Sequence, residues 1–289
     1  MKVLITGAGG QVGRILSGGA PPGVEVLACG HKDLDIADAS AVSDYIRVHA
    51  PDVIINAAAY TAVDRAESEP ELARIGNADG PRHLATAAAC APGTRLIHLS
   101  TDFVFDGAAS VPYRPEAATN PLSVYGATKL AGERAVLEGL PGRSVVLRTA
   151  WVYAAEGANF VRTMLRVMKA NGTVRVVADQ VGTPTAARWL AEAIWQLVAK
   201  PEITGIHHWT DAGVASWYDF AVAIAEEGAL LGLVPPDVTV TPIATVEYPT
   251  PARRPFYSVL DKTSLTSRGL TPLHWRKRLR SVLGEMKGG

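Results

Sequence analysis

The sequence predicts an α/β fold, a doubly wound parallel sheet followed by a smaller C-terminal α/β domain. Three observations predict it. Short β-rich runs alternate with longer helical patterns through the first half. The first run, Val3-Leu4-Ile5, is apolar without alternation, as a strand buried on both faces of a parallel sheet requires. That run leads straight into glycines at a three-residue spacing, Gly7, Gly10 and Gly13.

The elements follow in order. Strands are expected over 3–6, 24–28, 53–56, 95–100 and 144–149, and helices over 11–18, 39–50, 71–89 and 123–138. Pro51-Asp52 and Pro141-Gly142 punctuate the helix-to-strand passages. Such βαβα alternation gives a parallel sheet with helices on both faces. Right-handed crossovers then put a ligand crevice at the carboxyl ends of the strands. Beyond Thr149 the pattern loosens: a helix over 159–171, a strand over 173–177, helices over 186–199 and 216–231, and a possible strand over 206–209. A Pro-rich stretch runs over 235–255, and a basic helical piece closes the chain over 272–286. The division expected is 1–150 for the first domain and mainly 151–289 for the second, with the strand and helix near 173–199 returning to the first.

Composition narrows the function classes. Lys+Arg and Asp+Glu both number 28, which argues against a broad basic face for nucleic acid or anionic membrane. A local basic pocket for a small anion stays open. Cys29 and Cys90 have no metal-ligand or disulfide spacing and read as reduced thiols of a cytoplasmic protein. The opening apolar run is too short for a signal peptide, and no stretch approaches the roughly 18 apolar residues of a membrane span.

The glycines have a specific use. Gly7 allows a tight turn, Gly10 lets backbone approach a pyrophosphate, and Gly13 lets a helix pack close to the strand. The helix N-terminus then offers free N–H groups to phosphate. Directly after the first strand, this triplet reads as a dinucleotide site, of Rossmann type, rather than a plain turn.

Tyr125 and Lys129 lie four residues apart, and no other tyrosine has lysine at that spacing. On a helix the two share a face, with Cβ atoms about 5–6 Å apart. A nearby cation lowers a phenol's pKa and suits it to general acid–base work. An exposed tyrosine beside a solvated lysine has the same spacing. The position favours chemistry: the pair opens a helix after strand four, whose carboxyl end carries Ser100-Thr101-Asp102. A hydroxyl there can bond the oxygen that Tyr125 protonates, although the same residues also suit a turn or helix cap.

Several segments together resemble the extended short-chain dehydrogenase/reductase family, and within it the dTDP-4-dehydrorhamnose reductases. They are the glycine triplet, Asn56-Ala57-Ala58-Ala59-Tyr60-Thr61-Ala62-Val63-Asp64, and Ser100-Thr101-Asp102-Phe103-Val104-Phe105-Asp106-Gly107. Tyr125…Lys129, Arg148-Thr149-Ala150-Trp151, Gly182-Thr183-Pro184-Thr185 and Ala252-Arg253-Arg254-Pro255 complete the set, which spans nearly the whole chain.

The resemblance implies a Rossmann-type NAD(P)-binding domain and a C-terminal substrate-binding domain. It implies reduction of the C4 ketone of dTDP-6-deoxy-L-lyxo-4-hexulose to dTDP-L-rhamnose, with NADPH or NADH. Tyr125 would donate the proton, Lys129 would lower its pKa and hold the cofactor, and Thr101 would orient the ketone. Gly10, Gln11 and Val12 would lie against the pyrophosphate, in the cofactor-binding turn that Gly7 and Gly13 shape. Asp35 and Ile36 would flank the adenine, and Ala58, Ala59 and Tyr60 would line the cofactor channel. Asp102, Trp151 and Arg253 would contact the substrate, Arg253 and Arg254 being suited to its diphosphate.

Strand two ends in Cys29-Gly30-His31-Lys32 with no acid to hold a free ribose 2′-hydroxyl, so NADPH is the expected reductant and NADH a possible one. Two departures from the family pattern matter. Some members join chains through a divalent cation held by a glutamate where this chain has Ile15, so a bound metal is doubtful and the expected state is a monomer or weak homodimer. The late run Tyr257-Ser258-Val259-Leu260-Asp261 lacks the usual Asn before its serine. His207-His208 is read as structural. The competing readings are a non-catalytic NADP-binding regulatory subunit, such as partners methionine adenosyltransferase, and a sugar-nucleotide epimerase or dehydratase.

Overall fold

The computed structural model describes residues 1–288. The first half runs β1 (Lys2–Thr6), α1 (Gln11–Gly18), β2 (Glu25–Cys29), α2 (Ala39–His49), β3 (Val53–Asn56), α3 (Val63–Ala66), α4 (Pro70–Arg74), α5 (Gly80–Cys90), β4 (Arg95–Thr101), α6 (Val124–Gly139) and β5 (Ser144–Thr149). The remainder holds β6 (Val152–Tyr153), α7 (Phe160–Asn171), β7 (Thr173–Val177), β8 (Val181–Gly182), β9 (Thr185–Ala186), α8 (Ala187–Val198) and β10 (Gly205–His208). It closes with β11 (Ala215–Ser216), α9 (Trp217–Leu230), β12 (Thr239–Ile243), α10 (Thr263–Thr266) and α11 (Trp275–Gly288).

The six strands of the central sheet are all parallel, in the order β10-β5-β4-β3-β1-β2. The continuous apolar runs are explained by cover on both faces. Val3 and Ile5 join Ile55, Leu147, Leu16 of α1 and Leu190 and Ile194 of α8 in one core. Leu4 points the other way, with Ile54, Leu96 and Val146, onto Val42 of α2, Leu84 of α5 and Val136 of α6. Each side chain of this size contributes about 1.5–3 kcal/mol when fully buried. β1 lies between β2 and β3, so the chain winds in both directions from it and leaves a crevice at its carboxyl end.

A second unit packs α7, α9 and α11 against the β7–β12 pair around Phe220, Met168 and Leu279. Among the described residues, no helix is long and apolar enough to cross a membrane.

Three expectations are corrected. The strand over 173–177 does not return to the first domain: β7 pairs with β12 in the second unit. The sixth strand of the central sheet is β10 instead, and α8 does return, packing against α1. β12 contains Pro242 and was hidden in the Pro-rich stretch; it pairs only with β7, which tolerates a residue without an N–H. The single helix expected over 71–89 is two α-helices joined by a π turn, Ile75–Asp79. The period is that of a helix throughout, and the widened turn leaves no mark in it.

Candidate active site

The glycine turn is built as its spacing predicts. Gly7 has φ +71°, and Gly10 N–H donates to Gly7 O at 3.0 Å. A Cβ on Gly13 would stand 2.2 Å from Gly7 O, so only glycine lets α1 start this close to β1. Gly10 is the N-cap of α1 and supplies no side-chain cap, leaving the first-turn N–H groups for a ligand. A Cβ on Gly9 would meet nothing within 4 Å, which leaves an open cradle over those groups. The turn is tied to β2 by Ala8 N–H on Cys29 O at 3.1 Å, and the Ala58 backbone lies against Gly7. Gln11 donates to Ala158 O at 3.3 Å and accepts from Asn159 Nδ2 at 3.1 Å, so a loop of the second unit folds over the turn. These features fit a dinucleotide pyrophosphate, along Gly7, Gly10, Gln11, Val12 and Gly13.

Beyond β2, Asp35 is half-exposed and accepts from Ala37 N–H at 3.0 Å. The Ile36 side chain is buried in the core against Gly80, so any adenine contact falls to its edge and backbone. Asp33, the residue after Lys32, is an acid, and its carboxylate accepts Gly30 N–H at 2.8 Å. His31 and Lys32 are exposed. After β3, Ala59 is exposed, and Tyr60 is held from both sides of its peptide by Asn77: Tyr60 N–H donates to Oδ1 at 2.9 Å and Nδ2 donates to Tyr60 O at 3.0 Å. The Tyr60 hydroxyl is bonded to Glu69.

The catalytic candidates meet at the carboxyl end of β4. Ser123 caps α6 by accepting Gly126 N–H at 3.2 Å, and Glu67 accepts Val124 N–H at 2.9 Å. A Cβ on Gly126 would lie 2.2 Å from Phe103 O, so glycine brings the first turn of α6 hard against the segment after β4. The Phe103 and Tyr125 rings meet edge to face at 5.5 Å. The Thr101 hydroxyl neighbours the Tyr125 phenol; it donates to Asp102 Oδ1 at 3.1 Å and accepts Phe103 N–H at 3.2 Å.

Burial pushes the Tyr125 phenol up to about 12, against a lowering by Thr101 and with a further rise from the Asp102 charge. Lys129 is buried and sends its ammonium to Leu99 O at 2.6 Å. Burial brings it down to about 8, opposed by Glu133. The expected lowering of Tyr125 by Lys129 is therefore not what the structure has. Burial dominates the phenol, and the lysine nitrogen is occupied elsewhere. Burial also lifts Asp102 to about 6, opposed by the Ser258 and Thr101 hydroxyls and by backbone N–H groups. His98 beneath them shares a hydrogen bond with Asn56 at 3.0 Å and is held well below the usual histidine range by burial and by Lys129.

Sequence reasoning missed a buried network under this site. Glu133, one turn after Lys129, accepts Ser100 Oγ at 2.5 Å and pairs with Arg148 Nη2 at 2.7 Å. Arg148 also donates to Pro115 O at 3.0 Å and lies over the Phe105 ring. The lysine-to-glutamate spacing of four was the available signal.

Other expectations divide. Trp151 stands at the carboxyl end of β5 with φ +49°, its ring stacked on Trp217 at 3.6 Å between centroids, so one face is taken by packing. Arg254 is not free for a ligand, because its fork is held by Asp64 at 2.8 and 3.0 Å. Arg253 is exposed beside it. His207 bonds Ser264 and Thr204 O, and His208 bonds Tyr113 O, each at 3.0 Å, which are structural roles. Among the described residues, no three His, Cys, Asp or Glu side chains are grouped to hold a metal ion.

A doubly wound sheet with a close-packed glycine turn at its switch point, and a Tyr–Lys helix beside it, defines a nicotinamide-dependent oxidoreductase of the extended short-chain class. Within that class, the chain belongs to the RmlD substrate binding domain family, which matches residues 1–287. It is 46% identical over 282 residues to a dTDP-4-dehydrorhamnose reductase of Streptomyces griseus, covering 96% of this chain and 91% of the relative. A crystal structure of a dTDP-4-dehydrorhamnose reductase from Clostridium acetobutylicum superposes with a TM-score of 0.93 at 42% identity, over 99% of this chain and 100% of that one. The Bacillus anthracis dTDP-4-dehydrorhamnose reductase in complex with NADP gives a TM-score of 0.92 at 36% identity, over 98% and 99% of the two chains.

Proposed function

We propose that this chain reduces the C4 ketone of dTDP-6-deoxy-L-lyxo-4-hexulose to dTDP-L-rhamnose, the final step of dTDP-L-rhamnose synthesis, with NADPH as reductant. The observation that carries this reading is the approach of Thr101 to the Tyr125 phenol at the carboxyl end of β4, with only β3 between that strand and the β1 of the glycine turn. A bound reduced nicotinamide supplies the hydride. The protein's part is the proton and the placement. A phenol at about 12 is fully protonated at neutral pH and so is ready to give its proton to a ketone oxygen as that oxygen becomes a hydroxyl. Thr101, beside the phenol, orients the same oxygen. Lys129 puts a buried cation one turn from the phenol, anchored on Leu99 O, where it would hold the bound cofactor. Asp102 and Trp151 meet the deoxysugar, and Arg253 meets its diphosphate.

NADPH is favoured because Lys32 is exposed after β2, with His31 exposed beside it at 3.5 Å from the Asp35 carboxylate, while the nearby Asp33 carboxylate accepts Gly30 N–H. The relative bound to NADP agrees with this choice. The protein works in the cytoplasm as a monomer or weak homodimer on this reading.

The test supplies the purified protein with NADPH and the 4-keto-6-deoxy sugar nucleotide. Oxidation of NADPH, with release of an equal amount of dTDP-L-rhamnose, is expected. Tight cofactor binding without turnover would point to a regulatory subunit, and a changed sugar without net NADPH oxidation to an epimerase. A clear kcat/KM advantage for NADH would overturn the cofactor preference alone.

A further inference from the structure

The segment from Thr250 to Leu260 runs past Gly107 and places Ser258 beside Asp102, and one carboxylate of the first domain holds its near end. Asp64, on α3, takes both guanidinium arms of Arg254, Nη2 on Oδ2 at 2.8 Å and Nη1 on Oδ1 at 3.0 Å. It also accepts Ala252 N–H at 3.2 Å. Arg254 turns back onto its own segment, donating to Thr250 Oγ1 at 2.5 Å and Ala252 O at 3.0 Å. The partners are 190 residues apart in sequence, so this contact joins the first domain to the late segment.

An isolated exposed ion pair is worth little. This one differs in being bidentate and in being tied to two backbone positions, and both side chains are less than half exposed. The hydrogen bond from Arg254 holds the Asp64 carboxyl below its usual range. The far side of the segment is held as well: Val181 N–H donates to Phe256 O at 2.7 Å and Ser258 N–H to Val181 O at 2.8 Å. Arg253 sits between the two residues that Asp64 grips and has no protein partner of its own among the described residues.

Resting on the reading of a dTDP-sugar substrate, we propose that Asp64 is a positioning residue for that substrate. Through Arg254 and Ala252 it fixes the segment so that Arg253 presents its guanidinium to the diphosphate. The short path from Ala58 to Glu67 then serves three partners. Its start lies on the glycine turn, its middle holds the late segment, and its end caps the helix of Tyr125.

The experiment is a double-mutant cycle on Asp64→Asn and Arg253→Ala. It reads KM for the keto sugar nucleotide, kcat, NADPH affinity, and affinity for dTDP alone by calorimetry. Asp64→Asn is expected to raise KM and weaken dTDP binding about tenfold, the loss of one charge-assisted contact. NADPH affinity should stay within about twofold, and Asp64→Glu should recover part of the loss. In an Arg253→Ala background the same change should have almost no effect, because both act through one guanidinium. Additive losses, or dTDP binding unchanged in Asp64→Asn, would overturn the proposal. Should the wild type bind dTDP without reducing the keto sugar, the reaction assigned above fails while the dTDP arm still decides the role of Asp64. Should Asp64→Asn not fold, Arg254→Lys, which loses the fork but keeps the charge, carries the same comparison.

Discussion

Tyr125 and Lys129 stand one helical turn apart on α6, yet the lysine ammonium is bonded to the Leu99 carbonyl at 2.6 Å while the phenol neighbours the Thr101 hydroxyl. The two groups are thus held from different anchor points. Thr101 neighbours the phenol directly, and Lys129 holds its charge at a fixed position over β4, in the middle of the sheet.

Removing the phenol proton should stop the chemistry while leaving the cofactor bound. Tyr125→Phe is expected to lower kcat at least about a hundredfold, within the range for general acid catalysis. NADPH affinity, read by fluorescence titration, should change little. Turnover near wild type would remove Tyr125 from the mechanism.

The pH profile should be set by Lys129 and Asp102 rather than by the phenol. Lys129 is a cation below about 8 and loses its charge above it, so kcat should fall as pH rises through that value. Asp102 is a carboxylate, and an acceptor for Thr101, above about 6, so activity should also fall below that value. Asp102→Asn should abolish the acidic limb and keep the basic one. A basic limb that appears only near the phenol's own value of about 12 would contradict the assignment to Lys129.

Glu133 should matter for both stability and activity. Its carboxylate and Arg148 are about 1% and 2% exposed, and removing one partner of such a pair costs about 3–5 kcal/mol by leaving the other charge buried. Chemical denaturation of Glu133→Gln should show a loss of that order. The milder Ser100→Ala removes only the bond beside Thr101 and should lower kcat more than it lowers the denaturation midpoint. Equal effects of the two variants on stability would place no special weight on the ion pair.

At the other end of the molecule, Glu227 of α9 accepts from Arg276 and Arg280 of α11 and is held down to about 2 by them against its burial. A depressed carboxyl stabilises the fold above its ordinary value of 4.5, and that contribution disappears as pH falls through about 2. The stability gap between wild type and Glu227→Gln, from urea midpoints, should therefore be full near neutrality and close as pH drops from 4.5 toward 2. A gap that stays constant over that range would show that charge is not its origin.

Much of the site was legible because its signals are local. The glycine turn needs only backbone close approach within seven residues, and Tyr125 with Lys129 needs only the helical period. What escaped was non-local. Glu133 on Arg148, Ser258 beside Asp102, and Asp64 on Arg254 are pairs whose members lie in different elements. The two arginines of Ala252-Arg253-Arg254-Pro255 look alike in sequence, and only the position of Asp64 separates the tethered one from the free one.

The sequence by itself determined the parallel sheet, the order of its first five strands' helices, and the residue types at the crevice, because hydrophobic period, turn chemistry and side-chain spacing act over a few residues. Tertiary structure decided that β10 rather than β7 completes the sheet, that Tyr125 is raised rather than lowered, and which charges are paired. Those outcomes depend on burial and on contacts between distant segments, and desolvation at a point is set by everything packed around it rather than by its neighbours along the chain.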